Sequence, residues 1–514
     1  MAERRPRVLI VLAHFDEMRQ FGGRPNFMPQ GVGHAFLAGA LNGARFDIRL
    51  YSEFHSGPLT DTRLLAWPDM VVLTGVTSAL DRMRHLTAYI RTLAPKAIIV
   101  AGGPVVRNLP KLTADIFDYT CDGDVEQLGA VVDAVFGPGH AAERPLPRFD
   151  LLGWQSRVIY AETSRYCNFR CSFCALTGER RRFRPYPLDE IEAQILSQPA
   201  GKYLAFIDNT FFGNNRAAFE AKLDLIGRLW RQGRFKGWIA LVTGDFFANA
   251  ANLERAKAAG CVGLFSGIES LDAAQLARYG KRQNTAIPQI EAAERCLQAG
   301  IAFQYGLIFD PSTQRIADMQ AQLDFVLGCD RIPLPAFMSM TIPLLGTPYF
   351  DECLAEGRFM PHAPLRDFDG VTLVMEPLDP VADVIAFIRR IKRLSWASRA
   401  AAGHSLRFFR RYGGALSGAQ MVNMIGNSVR LCLPEVNRSN AGWLPRAAPQ
   451  EIRTHLTSTQ PLGALYKPMI RVDARYLGHF EPTLVTDASG ALHPALARDL
   501  APAPGPAPRR SAVM

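Results

Sequence analysis

Two series of short, almost wholly apolar runs constrain this 514-residue chain most. In the N-terminal part they fall at Val8–Ala13, Phe46–Tyr51, Met70–Thr74, Ala97–Ala101 and Tyr119–Thr120, with helical periodicity between them at 31–41 and 80–93. A strand with one wet face alternates polar and apolar residues, whereas a strand apolar throughout is covered on both faces. Such strands separated by helices predict a doubly wound, Rossmann-like parallel sheet. A second series starts at Val158 and reads VIYAET, YLAFID, WIALVT, GLFSGIE, FQYGLIF and AFMSMTI, again with helix-like segments between the runs. Six strand–helix units over roughly 190 residues predict a partial β/α barrel of the TIM type.

The expected organisation is therefore an α/β chain with a Rossmann-like domain over residues 1–136, a Pro/Gly-rich linker over 137–154 and a partial barrel over 155–370. A mainly helical C-terminal region follows over 371–499, then a disordered, low-complexity tail over 500–514. Nine cysteines scattered over this length do not form a secreted disulfide framework, which predicts a reducing, cytoplasmic setting. No apolar stretch reaches membrane-spanning length.

Three of those nine cysteines crowd into eight residues: Cys167, Cys171 and Cys174, in SRYCNFRCSFC after the first strand of the second series. A structural zinc site needs four ligands, and the next cysteine is Cys261. Thiolates are soft ligands that suit iron–sulfur clusters. Three of them on a four-iron cluster leave one iron open to a small molecule. The other six cysteines, Cys121, Cys261, Cys296, Cys329, Cys353 and Cys432, read as small buried hydrophobes. The arginines at 180–182 and 184, just beyond the triad, read as a solvated helix start.

This loop resembles the signature of the radical S-adenosylmethionine (SAM) superfamily, including the aromatic before the third cysteine, Phe173. The resemblance implies that Cys167, Cys171 and Cys174 hold a 4Fe-4S cluster whose open iron chelates SAM. In GLFSGIES it implies SAM contacts at Glu269, near the ribose, and at Ser270. In FIDNTF it implies Asp208 and Asn209 at the position that meets the SAM amino group, although the Gly-Gly-Glu of other members is missing there.

The N-terminal sheet has no G-x-G-x-x-G after its first strand, which argues against a dinucleotide. Its place before the barrel resembles the cobalamin-binding domain of class B radical SAM enzymes. Thr77, Ser78 and Leu80 (TSAL) match a Ser-x-Leu element, and Gly102 and Gly103 (AGGP) match a Gly-Gly element. Small residues at strand ends let a nucleotide tail lie against the backbone. The histidine motif that ligates cobalt from below in other cobalamin proteins is absent, and His14 reads as an ordinary loop histidine.

The resemblance implies a cobalamin-dependent methyltransferase that methylates an unactivated carbon through a 5′-deoxyadenosyl radical and methylcobalamin. The alternative it leaves open keeps both cofactors but performs an oxidative cyclisation or rearrangement. A methylthiotransferase would need a second cysteine set before the barrel, and no cysteine precedes Cys121. The expected partners are a small-molecule or lipid-like substrate and an electron donor such as flavodoxin or ferredoxin; nucleic acid is not expected. Between Val381 and Arg411 eight basic residues face one acid, Asp383. A solvated helix face is the first reading of that stretch; an anionic substrate or peripheral contact with a membrane surface is the second.

Overall fold

The computed structural model describes residues 4–14, 31–152, 158–213, 215–370, 372–392, 399–429 and 466–500. Cys432, most of the expected tail and the side chains of Arg389, Arg390, Lys392 and Arg393 lie outside the described residues.

The first sheet comprises β1 (Arg7–Leu12), β2 (Asp47–Ser52), β3 (Met70–Thr74), β4 (Ile98–Gly102) and β5 (Tyr119–Cys121). Its order is β2-β1-β3-β4-β5 and every pairing is parallel. Alternate residues of the apolar strands feed two cores. Leu9, Val11, Val71 and Leu73 pack with the helix Leu80–Leu93, and Val8, Ile10, Met70 and Val72 pack beside the helix Val125–Phe136. Both faces are covered, as the unbroken apolar runs require. In this strand order the chain reverses direction between β1 and β3, and ligands of such sheets sit beyond the strand C-termini at that reversal.

The second sheet comprises β6 (Val158–Ala161), β9 (Lys202–Phe206), β10 (Phe235–Val242), β11 (Cys261–Glu269), β12 (Ala302–Phe309) and β13 (Phe337–Met340). The strands pair in parallel in chain order from β6 to β13. This is a six-stranded partial barrel. Between β6 and β9 a short antiparallel ladder, β7 (Ser164–Arg165) with β8 (Arg184–Pro185), brackets the cysteines. Leu204, Phe206, Trp238, Ala240, Val242, Leu264, Phe303, Tyr305 and Leu307 point out from the strands into one core with the surrounding helices.

Two segments behave differently from the sequence reading. The Pro/Gly-rich stretch is strapped along the helix Gly33–Gly39: Ala142 and Arg148 donate backbone N–H groups to Ala40 and Ala35, and Phe149 is buried. The C-terminal region, expected as one helical unit, divides between two cores. Helices Val381–Lys392, Arg399–Tyr412 and Gly418–Val429 contribute buried residues to the barrel core. Residues 466–500 return to the first sheet, where Phe480, Val485 and Leu496 join the core under Leu80–Leu93.

The basic stretch is partly spent on structure. Arg407 donates to the Leu327 carbonyl at 2.8 Å, and Arg411 pairs with Glu294 at 3.0 Å and Asp330 at 3.5 Å.

Candidate active site at the ends of two parallel sheets

The cysteine loop leaves the C-terminal end of β6, where chemistry in β/α barrels gathers. It is gripped by the segment 278–283. Ser172 donates its backbone N–H to the Tyr279 carbonyl at 2.9 Å, and the rings of Phe173 and Tyr279 meet at 4.7 Å. Gln283 donates its side-chain amide to Cys171 Sγ at 3.2 Å, and the backbone N–H of Phe169 points at Cys167 Sγ at 3.5 Å. Burial pushes the thiols of Cys167 and Cys174 upward, the latter to about 11, and each also feels the charge of the neighbouring cysteines.

Among the described residues no set of three His, Cys, Asp or Glu side chains is arranged to hold a metal ion. The donors of this loop are three neighbouring thiols with no carboxylate or imidazole among them. That set suits a cluster, in which each thiolate binds its own iron, rather than one ion held by all three. The residues present therefore fit a 4Fe-4S group.

Glu269 ends β11 and adopts a left-handed backbone conformation, φ +65°, which for a non-glycine residue holds only where the surroundings enforce it. Its carboxylate pairs with Lys281, whose ammonium also lies 5.9 Å from the centre of the Phe173 ring. Gly267 makes this pair possible: a Cβ there would lie 2.3 Å from Glu269 Oε1 and 2.8 Å from Lys281 Nζ. Glu269, Lys281, Phe173 and the thiols thus form one cluster of groups.

Three expected site residues are placed otherwise. Asp208 is fully buried and accepts bonds from Thr163 N–H at 3.0 Å, Thr163 Oγ1 at 2.5 Å and Ser164 Oγ at 2.6 Å. Its side chain ties β9 to the start of the cysteine loop, so it is not free to meet an amino group. Ser270 is buried and donates to Gln322 Oε1 at 3.0 Å, while its own Oγ accepts from the Asp272 N–H at 3.1 Å. Leu80 opens the helix Leu80–Leu93 inside the core of the first sheet. The backbone pattern at these positions was legible, but the direction of each side chain is set by its tertiary neighbours. Asn209 is exposed beside Asp208; Thr77 is buried and Ser78 half-buried in the turn after β3.

A cavity of about 370 Å³ lies where the two sheets' strand ends face each other. Thr74, Ala101, Gly102, Gly103, Cys121 and Asp124 line it from the first sheet, and Glu162, Arg165 and Ile207 from the barrel. Gly103 has φ +99°, and a Cβ on it would lie 2.9 Å from the Gly75 carbonyl oxygen, so only glycine fits. This small-residue floor fits the nucleotide tail of a cobalamin. His14 lies outside that lining. Its backbone N–H bonds Glu53 at 3.1 Å, and burial lowers its pKa to about 4.

One charged network, which the sequence did not reveal, joins cavity and loop. Arg165, two residues before Cys167, pairs with Glu162 at 3.0 Å and Asp124 at 3.5 Å, and Tyr166 donates its hydroxyl to Asp124 at 2.6 Å. Arg184 reaches Glu126 at 3.4 Å, and Arg107, beyond Gly103, pairs with Glu179 at 2.8 Å. The arginine run was read as a solvated helix start. Its members are exposed as read, but the run follows the helix Ala175–Glu179 instead of opening one. From there Arg184 and Arg181 also reach across to the first sheet, Arg181 to the Asp122 carbonyl at 3.4 Å.

Residues 161–313 match the model described as the Radical SAM superfamily. Residues 161–313 thus form a radical SAM domain, which runs from the end of β6 to just beyond β12. It is 25% identical over 328 residues to the hopanoid C-2 methylase of Rhodopseudomonas palustris, covering 57% of this chain and 59% of the relative. It is 26% identical over 220 residues to the bacteriochlorophyllide d C-8(2)-methyltransferase of Chlorobaculum tepidum, covering 40% and 46%. The matched part thus spans only about half of these relatives' length. Among solved structures the fold resembles the cobalamin-dependent SAM radical enzyme OxsB with aqua-cobalamin bound, at TM-score 0.55 and 14% identity over 93% of this chain and 83% of that one. It also resembles the radical SAM methyltransferase TsrM from Kitasatospora setae with tryptophan and a SAM analogue bound, at TM-score 0.51 and 15% identity over 70% and 78%. These likenesses establish a shared fold, a partial barrel joined to a Rossmann-like sheet.

Proposed function

We propose that this protein, with its radical SAM domain, is a cobalamin-dependent methyltransferase acting on an unactivated carbon. One observation carries the reading: the three-thiol loop and the glycine-floored cavity lie at facing strand ends, joined by Arg165 and Asp124. When bound, the cluster with SAM supplies a 5′-deoxyadenosyl radical, and cobalamin supplies the methyl group. Cys167, Cys171 and Cys174 would hold the cluster. Glu269 would accept ribose hydroxyls once its pairing with Lys281 opens, and Phe173 would shape the same pocket. Gly102 and Gly103, with Thr77, Ser78 and Asn209 at neighbouring strand ends, would border the cofactors. The two curated relatives are named as methylases, and both OxsB and TsrM have been solved with cobalamin bound, which supports this reading over a barrel working alone.

The protein's contribution is to hold two reactive centres and a substrate in line, which converts encounters into an intramolecular step. Reduction of the cluster requires an external donor such as flavodoxin or ferredoxin. Among the described residues no helix is long and apolar enough to cross a membrane, and a cytoplasmic setting is proposed from the reducing conditions that free thiols need.

The test is anaerobic purification, cluster reconstitution and addition of cobalamin, followed by assay of products. Both S-adenosylhomocysteine and 5′-deoxyadenosine are expected. A fully loaded cluster without cobalamin affinity would overturn the proposal. Formation of 5′-deoxyadenosine with no S-adenosylhomocysteine would replace methyl transfer by cyclisation or rearrangement.

A further inference from the structure

The barrel strands bury one face against their helices, and the other face remains to be accounted for. Tyr203 on β9, Ile239 on β10 and Phe337 on β13 are 40%, 40% and 42% exposed, although each sits in a strand of the barrel. Leu241, Phe265 and Ile308 on the same side are half-buried. Strand alternation puts all six opposite the outward residues Leu204, Trp238, Ala240, Leu264, Leu307 and Met338, hence on the concave face. The register makes this face continuous: Leu241 lies beside Phe265 on β11, and the rings of Phe265 and Phe337 stack at 5.6 Å and 4°. Gly306 of β12 lies beneath the Phe337 ring, where a Cβ would come within 2.5 Å of it.

Solvent-facing apolar surface of this extent inside a concave sheet marks a ligand site. From Tyr203 to Phe337 these inward positions carry no charge, and Gln304, half-buried beside Phe265 in the register, adds a neutral polar group to the same face. Further up, β11 bulges between Ser266 and Glu269, and the Cβ direction of Gly267 within that bulge points at the Glu269–Lys281 pair beside the cysteine loop. We propose that the concave face is the substrate site and that it takes a neutral, apolar, ring-bearing or aliphatic molecule, laid along β9–β13 with one carbon presented toward Glu269 and the thiols. This deepens the methyltransferase reading and rests on it for the reaction. It departs from the anionic substrate that the basic C-terminal stretch suggested. The decisive groups are on the barrel wall. Of the described arginines of that stretch, Arg407 and Arg411 are engaged with Leu327, Glu294 and Asp330, and Arg399 and Arg410 are exposed on the helix Arg399–Tyr412.

The experiment is a fluorescence titration of the full-length, cluster-loaded protein with prodan, a neutral naphthalene ketone. Saturable, blue-shifted binding is expected, and Ile239→Asp should weaken it by about tenfold or more, because a carboxylate would have to be buried beside the ligand. Iron content and far-UV circular dichroism check that the variant is folded. Should it lose the cluster, Tyr203→Asp places the same charge at the rim of the face and should weaken binding in the same way. Non-saturable binding, or binding unchanged in both variants, overturns the assignment, as does tighter binding of the anionic dye 1-anilinonaphthalene-8-sulfonate than of prodan. The two readings fail separately. Intact prodan binding without S-adenosylhomocysteine formation sinks methyl transfer alone, whereas methyl transfer by Ile239→Asp at the wild-type rate sinks the substrate class.

Discussion

At the residue scale the site depends on a few close contacts rather than on the cysteines alone. Gln283 offers a hydrogen bond to Cys171 Sγ, and hydrogen bonds to cluster sulfurs stabilise the more negative, reduced form. Gln283→Met keeps the shape and removes the donor. The expected result is a cluster of unchanged iron content with a more negative midpoint potential in an electron paramagnetic resonance titration. Cys171→Ala should instead lose the cluster's absorbance and iron altogether, since among the described residues no other cysteine adjoins the triad. Gly267→Ala would drive a methyl group into Glu269 and Lys281. Weaker SAM binding by calorimetry is expected, with the cluster retained. None of these neighbours is legible from the triad, because Gln283 is 112 residues from Cys171. Only the Gly-Ile-Glu-Ser motif hinted that the segment around 267–270 mattered.

At the scale of elements the cysteine loop is fastened to the first sheet as much as to its own barrel. The Arg107–Glu179 pair is mostly buried on both sides. Removing one partner leaves the other charge poorly solvated, which costs about 1–3 kcal/mol. Glu179→Ala should therefore lower the thermal midpoint, and Arg107→Ala/Glu179→Ala should lose less than the sum of the single variants. The strands themselves were readable, since apolar runs of five or six residues admit little else between helices. The β7–β8 ladder was not readable. Two residues a side carry no periodicity; the ladder sets Arg165 opposite Arg184, and from there both reach the acids Asp124 and Glu126 of the first domain.

At the scale of the whole molecule the chain's last described segment locks onto its first domain. Asp81 is fully buried and accepts from Thr483 N–H at 3.1 Å, Thr483 Oγ1 at 2.6 Å and Tyr466 Oη at 3.0 Å. Asp81→Ala removes the acceptor of all three and should cost about 3 kcal/mol or more, seen as earlier unfolding and faster proteolysis near the C-terminus. Beside it His85 stacks on Phe480 at 4.4 Å, and burial, with Arg82 and Arg84 nearby, lowers its pKa from 6.5 to about 3. Its folded pKa lies below the unfolded value. The stability this neutral ring contributes is therefore complete above pH 6.5 and is lost as pH falls toward 3. His85→Gln should show a smaller drop in thermal midpoint than the wild type between pH 7 and pH 4.

The sequence by itself determined the two parallel sheets, the cysteine triad and the glycine pair, because each is written in contiguous residues whose spacing or apolar pattern has few physical outcomes. Tertiary structure alone decided which side chains those elements present. Asp208, Ser270 and Leu80 sit where the motifs placed their backbones, yet their side chains turn inward to buried partners or into the core. The concave apolar wall, the acid–arginine bridge to the cavity and the return of residues 466–500 to the first sheet are long-range pairings. A local pattern can say that a residue is apolar or charged, but the partner that buries or neutralises it lies tens to hundreds of residues away.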